Sequence, residues 1–239
     1  MNPTKFSNVD LNEITFSEPR PYGTQAKIVY VNHKGRQLVM QTPKLGLPYG
    51  LSCYTNEDGV SKYSIDYSLN TEDEKAQQFQ QLLENLDDKI LNSIVENSKE
   101  WLNKAKMSKE VAAALYTSSI KHHMEDGERS GKYPPTFKTK VAYYDNKFAR
   151  LKVFDSITKE VQEDLESALP KGCKLTGLVK LSGIWLAGGK TGLVFETVQA
   201  KADAVTSSDT YAFDDSDDEN VVVDTVATEK FTVDSEEDL

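Results

Sequence analysis

Cysteine, histidine and long apolar runs are scarce in this chain, and each scarcity removes a class of function. The two cysteines among 239 residues, Cys53 and Cys173, lie far apart. They offer neither a disulfide framework nor a paired-cysteine metal knuckle, and they read as buried free thiols. The three histidines are His33 and the adjacent pair His122 and His123. Neighbouring positions on a helix point to different sides, so this set does not build a metal centre. No metal and no other cofactor is expected. A run of about 18 apolar residues, the length of a membrane span, does not occur. The opening MNPTKFSNVD has no basic segment followed by an apolar core, so no secretory signal is read. The expectation is a soluble intracellular protein without a membrane partner. No nucleophile paired with a base is legible either, and an enzyme is not expected.

Positive charge is also in deficit, with 28 basic against 38 acidic residues and a formal net charge of -10. The deficit is local. About 13 acidic residues fall between Asp203 and Leu239, with Lys201 and Lys230 nearby, so Met1 to Ala200 is close to neutral. A segment carrying DDSDDE and DSEEDL with few large apolar side chains buries too little surface to offset its ordering entropy. Residues 203–239 are therefore expected to be a disordered acidic tail, either solubilising or working. Val221, Val222, Val223, Phe231, Val233 and Leu239 punctuate the acid, and Phe231 and Leu239 are candidate contacts for a protein partner. A tethered polyanion can also occupy a nucleic-acid groove at high effective concentration.

About 200 residues remain, enough for one elaborated domain. From Asn12 to Leu69, short β-prone runs (EITFS, AKIVYV, QLVMQTP, GLSCYT, KYSIDYSL) are cut by turn residues. The first pair is joined through Asn32-His33-Lys34-Gly35. Pro43, Gly46, Pro48 and Gly50 force a loop or an edge. At Thr71 the pattern changes to a capping box with Glu74, followed by a long amphipathic helix. Its stripe runs through Phe79, Leu82, Leu83, Leu86, Ile90, Ile94, Trp101 and Leu102 to about Lys104, with Trp101 in the core. A second helix is expected from Ser108 to the His122-His123 region, and a short one from Thr158 to Leu169.

The stretch TFKTKVAYYDNKFARLKVFD, 136–155, interleaves Lys138, Lys140, Lys147, Arg150 and Lys152 with Phe137, Tyr143, Tyr144, Phe148 and Phe154. Cations follow phosphates and rings stack on exposed bases, the needs of a single-stranded nucleic-acid platform. An amphipathic hairpin with a solvated basic face is the plainer reading. With Asp145-Asn146 as a two-residue turn, Lys138, Lys140, Tyr144 and Lys147 share one face, and Arg150 and Lys152 share the other with Tyr143 and Phe148. A one-residue bulge would bring Arg150 and Lys152 to the lysine face. The sequence leaves both open.

The final hairpin, KLTGLVKLSGIWLAGGKTGLVFETVQA, contains GGKT. It is not a phosphate loop: Gly183 to Gly189 has five intervening residues where the motif needs four, and a strand follows instead of a helix. Gly188-Gly189 reads as a hairpin tip presenting Lys190.

The segments SGIWLAGGKTGLVFETVQAK, QLVMQTPKLGLPYGLS, KYSIDYSL, SKEWLNKAKMSKEVAAALY and GKYPPTFKTK together resemble the single-stranded-DNA-binding-like proteins of nucleocytoplasmic large DNA viruses, relatives of phage OB-fold single-stranded-DNA-binding proteins with an acidic C-terminal tail. The likeness covers about Asn12 to Ala200. It implies a mainly β protein with inserted helices (α+β), namely an OB-fold-like β-barrel in residues 1–202 with a helical insertion at about 71–126. It also implies a homodimer or cooperative assembly, a place in the host cytoplasm, nucleus or virion, and service to viral DNA replication, recombination or repair. Single-stranded DNA is the expected partner, with viral replication proteins reached through the tail. The chemistry of the residues nominates Lys138, Lys140, Tyr143, Tyr144, Lys147, Phe148, Arg150, Lys152, Trp185 and Lys190 for nucleic acid. The alternative is a virion structural or assembly protein whose acidic tail binds basic capsid or core proteins.

Overall fold

The computed structural model describes residues 2–70 and 72–203. These fall within one compact unit, Met1–Val205. The acidic tail beyond Asp203, with Phe231 and Leu239, and the proposed cap Thr71 lie outside the described residues.

The protein is mainly β with a few helices. Its principal strands are β1 (Ala26–His33), β2 (Val39–Gly46), β3 (Leu51–Thr55), β4 (Ser61–Ser68), β5 (Thr136–Val141), β6 (Lys152–Asp155), β7 (Lys174–Ala187) and β8 (Lys190–Ala202). Three helices, α1 (Glu74–Glu96), α2 (Ser98–Leu102) and α3 (Lys109–Leu115), separate β4 from β5, and α4 (Leu165–Ala168) precedes β7. The main path runs from the short strand Thr4–Lys5 through β2, β7, β8, β5 and β4 to β3, and the sheet does not close. The long β7 holds it together. One edge of β7 pairs with β8 along nearly its whole length, while the other takes β2 over Lys174–Lys180 and then β1 over Gly183–Ala187. Register shifts at Leu178/Val179 and Leu181/Gly183 mark bulges, which raise local twist and let one strand serve two partners.

The core lies between the sheet and α1. Phe137 is its hub, with ring centroids 5.9 Å from Tyr67, 5.6 Å from Phe79 of α1 and 4.9 Å from Phe195. The helical stripe is buried as its spacing predicts: Phe79, Leu83, Leu86, Ile90 and Ile94 are almost solvent-free, and Trp101 meets Phe16 edge-on at 5.4 Å. Three hydroxyls beside this hub satisfy one another. Tyr67 Oη lies 2.9 Å from Thr197 Oγ1, which lies 2.7 Å from Thr139 Oγ1. Burial pushes the Tyr67 phenol pKa up, against the opposing hydrogen bond from Thr197. Gly177 makes room for this hydroxyl, since a Cβ there would stand 2.3 Å from it.

Several local expectations change. The cap of α1 is Asp73, whose carboxylate accepts from Lys75 N and Ala76 N, and the helix starts at Glu74. The long apolar pattern is broken at Asn97, where α1 ends and α2 begins. The second helix starts after Ser108 as read but stops at Leu115, well before His122. The buried Asp87 of α1 draws the following chain out of helix, accepting from Tyr116 Oη (2.7 Å), Ser118 Oγ (2.7 Å), Ser119 Oγ (2.8 Å) and Ser119 N (3.0 Å). The helix expected from Thr158 is only α4, capped by Asp164; the residues before it form a turn and the two-residue strand Val161–Gln162. The first hairpin does turn at Lys34 (φ 53°) and Gly35 (φ 72°), but it pairs only Asn32 and His33 with Arg36 and Gln37 before β2 crosses to β7. Pro43 sits inside β2, not in a loop, at a point where β2 is an edge, since the Thr4–Lys5 strand pairs only Met40 and Gln41. The ladder is irregular between Thr176 and Leu178, and Gly177 N donates to Thr42 Oγ1 at 2.9 Å, so no bond from residue 43 is needed there. Cys173 is buried as read, with its thiol pushed up to about 11 chiefly by burial, whereas Cys53 is exposed on β3.

Candidate nucleic-acid interface

The alternation of β5 sends Phe137, Thr139 and Val141 into the core and Lys138 and Lys140 to the opposite face. The strand register shows what joins them there. Lys138 stands opposite Asp66, and a row runs Ser64, Lys140, Glu196, Lys180, Val39 across β4, β5, β8, β7 and β2. A second row runs Lys152, Gln199, Leu178, Gln41, Lys5, and a third runs Phe154, Lys201, Thr176, Lys44. Gln41, Phe154, Thr176, Leu178, Gln199 and Lys201 line a shallow depression of about 190 Å³. A face of exposed ammonium groups around a half-buried strip of amide, leucine and phenylalanine follows from these rows.

The acids of this face are mostly sunk beneath the cations. Asp66 lies 3.6 Å from Lys138 Nζ. Glu196 is 8 % exposed and holds both Lys180, at 2.5 Å, and Arg150, at 3.2 Å. Buried carboxylates need such partners, because an unpaired charge out of water is strongly destabilising. Lys44 binds Asp203, and its ammonium holds that carboxyl below the usual carboxylate range. Lys5, Lys140, Lys152 and Lys201 are exposed and make no ion pair among the described residues.

The Asp145-Asn146 turn forms with both residues at positive φ, pairing Tyr143 with Phe148 and Tyr144 with Lys147. The ribbon then opens, apart from an Ala149 N to Ala142 O bond, and β6 leaves to pair in parallel with β8. Of the two arrangements left open by the sequence, Arg150 and Lys152 therefore join the face of Lys138 and Lys140. Tyr143 and Phe148 pack with Tyr63 at centroid distances of 4.6, 4.7 and 5.1 Å. Their rings are engaged with one another, and Tyr63 Oη donates to Glu166 at 3.2 Å. Tyr144 is 64 % exposed, with no ring contact among the described residues, and pairs with the exposed Lys147. Trp185 is half-buried against Gly192, where a Cβ would meet its Nε1 at 2.9 Å, and Lys190 is exposed just past the Gly188-Gly189 tip. Six residues separate Lys190 from Glu196, about 20 Å along the strand at ~3.3 Å per residue, so Trp185 and Lys190 stand apart from the cation rows.

Sequence reasoning did not single out Lys5, Lys44, Lys180 and Lys201, and it counted Phe154 only among the rings of its stretch. The alternation in Leu178-Val-Lys-Leu181 marks Lys180 as turned from the core. Its partner Glu196 lies across the same hairpin, but Val39, Lys140 and Arg150 come from segments farther away in sequence, and no local signal reports them.

A family model described as a family of unknown function, DUF5871, matches residues 66–224, and the chain belongs to that family. No curated protein matches. Among solved structures, the chain is similar to gp2.5, a single-stranded DNA binding protein encoded by bacteriophage T7, with a TM-score of 0.46 and 14% identity over 80% of this chain and 100% of that one.

Proposed function

We propose that this DUF5871 member is a non-enzymatic protein that binds single-stranded DNA without sequence preference across the cationic face of its sheet. The observation that supports this most directly is the convergence on one face of Lys5, Lys44, Lys138, Lys140, Arg150, Lys152, Lys180 and Lys201, while Asp66 and Glu196 on the same face are buried and paired. Phosphates follow such cations, and the half-buried Leu178 and Phe154 between them offer apolar surface to unstacked bases. On this reading the bulged β7, shared between β1, β2 and β8, is the corner strand of an OB-type barrel. The acidic segment after Asp203 competes for the same cations and recruits protein partners. The sequence resemblance extends the role to viral DNA replication, recombination or repair.

A salt-resolved titration with single-stranded DNA, duplex DNA and an unrelated polyanion tests the reading. Single strands should bind best, and replacing Lys138, Lys140, Arg150 and Lys152 by Ala should lower the slope of log affinity against log salt by ~0.7 for each lost phosphate contact. Truncation after Asp203 should raise low-salt affinity and converge with the full chain at high salt. An unchanged slope in the variant places the interface elsewhere. Binding of polycations alone supports instead a virion or assembly role for the tail.

A further inference from the structure

The first cation row ends at Val39, where the sheet gives way to a cavity of about 550 Å³. It is lined by Thr4, His33, Lys34, Arg36, Val39 and Lys180, among others. Three features mark it as a built site. Its volume lies in the range of small-molecule pockets. Lys34 and Arg36 make no ion pair among the described residues, so two cations face it without counter-charge, while Lys180 is already engaged by Glu196. His33 is 6 % exposed and its Nε2 has no hydrogen-bond partner among the described residues. A buried ring nitrogen without a partner is costly, and such groups are rare in folded proteins.

The backbone explains how these groups meet. His33 closes β1 on the side of Val29 and Val31, so alternation turns it inward, and the tight Lys34-Gly35 turn brings Arg36 directly opposite it. The turn thus sets two cations at the rim and an imidazole within.

We infer that this cavity receives a nucleoside monophosphate unit. Its phosphate, a dianion when terminal, lies with Lys34 and Arg36, a fork that suits phosphate oxygens. The buried His33 imidazole lies in the cavity wall close to both cations, where it responds to the charge of a bound phosphate. The choice of a nucleotide over other phosphate esters rests on the proposed strand-binding face, with which the cavity shares Val39 and Lys180. The unit comes from a free nucleotide or from the phosphorylated end of a strand.

The full chain has only His33, His122 and His123, so imidazole resonances in NMR report the site cleanly. The probes are a deoxynucleoside 5′-monophosphate, the same nucleoside without phosphate, inorganic phosphate, and short oligonucleotides with and without a terminal phosphate. The monophosphate should shift His33 and leave His122 and His123 in place, and should bind about tenfold more tightly than the nucleoside. Arg36→Ala, at an exposed position just past the turn whose folding is checked by an unchanged melting temperature, should abolish most of that difference. A His33 shift with the phosphorylated oligonucleotide identifies a strand end as the source, and a shift with the mononucleotide alone identifies the free ligand. An equal response to inorganic phosphate overturns the nucleotide assignment, and no His33 shift with any phosphate ligand overturns the site. The sheet reading is scored separately, through oligonucleotide affinity of the Lys138, Lys140, Arg150 and Lys152 variant, so either inference can fail without the other.

Discussion

The two faces of β5 are built from alternate residues of one six-residue strand. Toward α1, Phe137 touches three other rings and Thr139 closes a hydroxyl chain with Thr197 and Tyr67. On the opposite side Lys138 and Lys140 stand among cations gathered from other strands, with their acidic neighbours drawn below the surface. Every group on the first face is satisfied inside the fold, whereas much of the charge on the second is satisfied only by solvent or a ligand. Stability and binding should therefore respond to different residues of the same strand.

The largest effect should come from the core side. Phe137→Ala should cost about 3–5 kcal/mol of stability in chemical denaturation, while the fraction still folded binds single strands as before. Matching losses of affinity per folded molecule would blur the two faces. Next, the neighbouring tyrosines should behave oppositely. Tyr144→Ala should cost ~1–3 kcal/mol of strand affinity with an unchanged melting temperature, and Tyr143→Ala should lower the melting temperature by opening the cluster with Tyr63 and Phe148. Equal melting shifts for both would show that Tyr144 is structural. A smaller effect is expected from Glu196→Gln, which releases Arg150 and Lys180. Strand affinity should rise and its salt dependence steepen, while stability falls because Lys180 loses its counter-charge in a largely buried position. A weaker complex would mean that Glu196 orients its cations for the ligand. The smallest effect concerns Lys44 and Asp203. Because the folded carboxyl lies below its ordinary value, its contribution is present above about pH 4 and lost as pH falls through the lowered folded value. Lys44→Ala should lower stability slightly at neutral pH and move the acid-unfolding midpoint slightly upward. An identical acid limb in the two proteins would show that the pair does not couple to folding.

The helical stripe from Phe79 to Ile94 was legible because helical spacing is a local property: each residue faces the core through its own position in the turn. The same holds for the Asp145-Asn146 and Gly188-Gly189 turns and for the cap at Ser108. The end of the second helix was not legible, because Asp87, some thirty residues earlier, captures Tyr116, Ser118 and Ser119. Within the candidate interface, Lys138 and Lys140 could be placed on a common face from alternation alone. Placing Arg150 and Lys152 with them required knowing that the ribbon opens after Phe148 and that β6 pairs in parallel with β8.

Alternation, helical periodicity, turn chemistry and the concentration of acid beyond Asp203 were determined by the sequence itself, since each depends on residues within a few positions of one another. The composition of the cationic face and of the cavity at its edge was decided only by the tertiary structure. Lys5, Lys44, Lys152, Lys180 and Lys201 become neighbours through strand pairing between distant segments, and a one-residue change of register would turn any of them to the other face. His33 is likewise an ordinary strand residue in the sequence; its burial comes from pairing with Ile14 on one side and Arg36 on the other, which the sequence alone does not report.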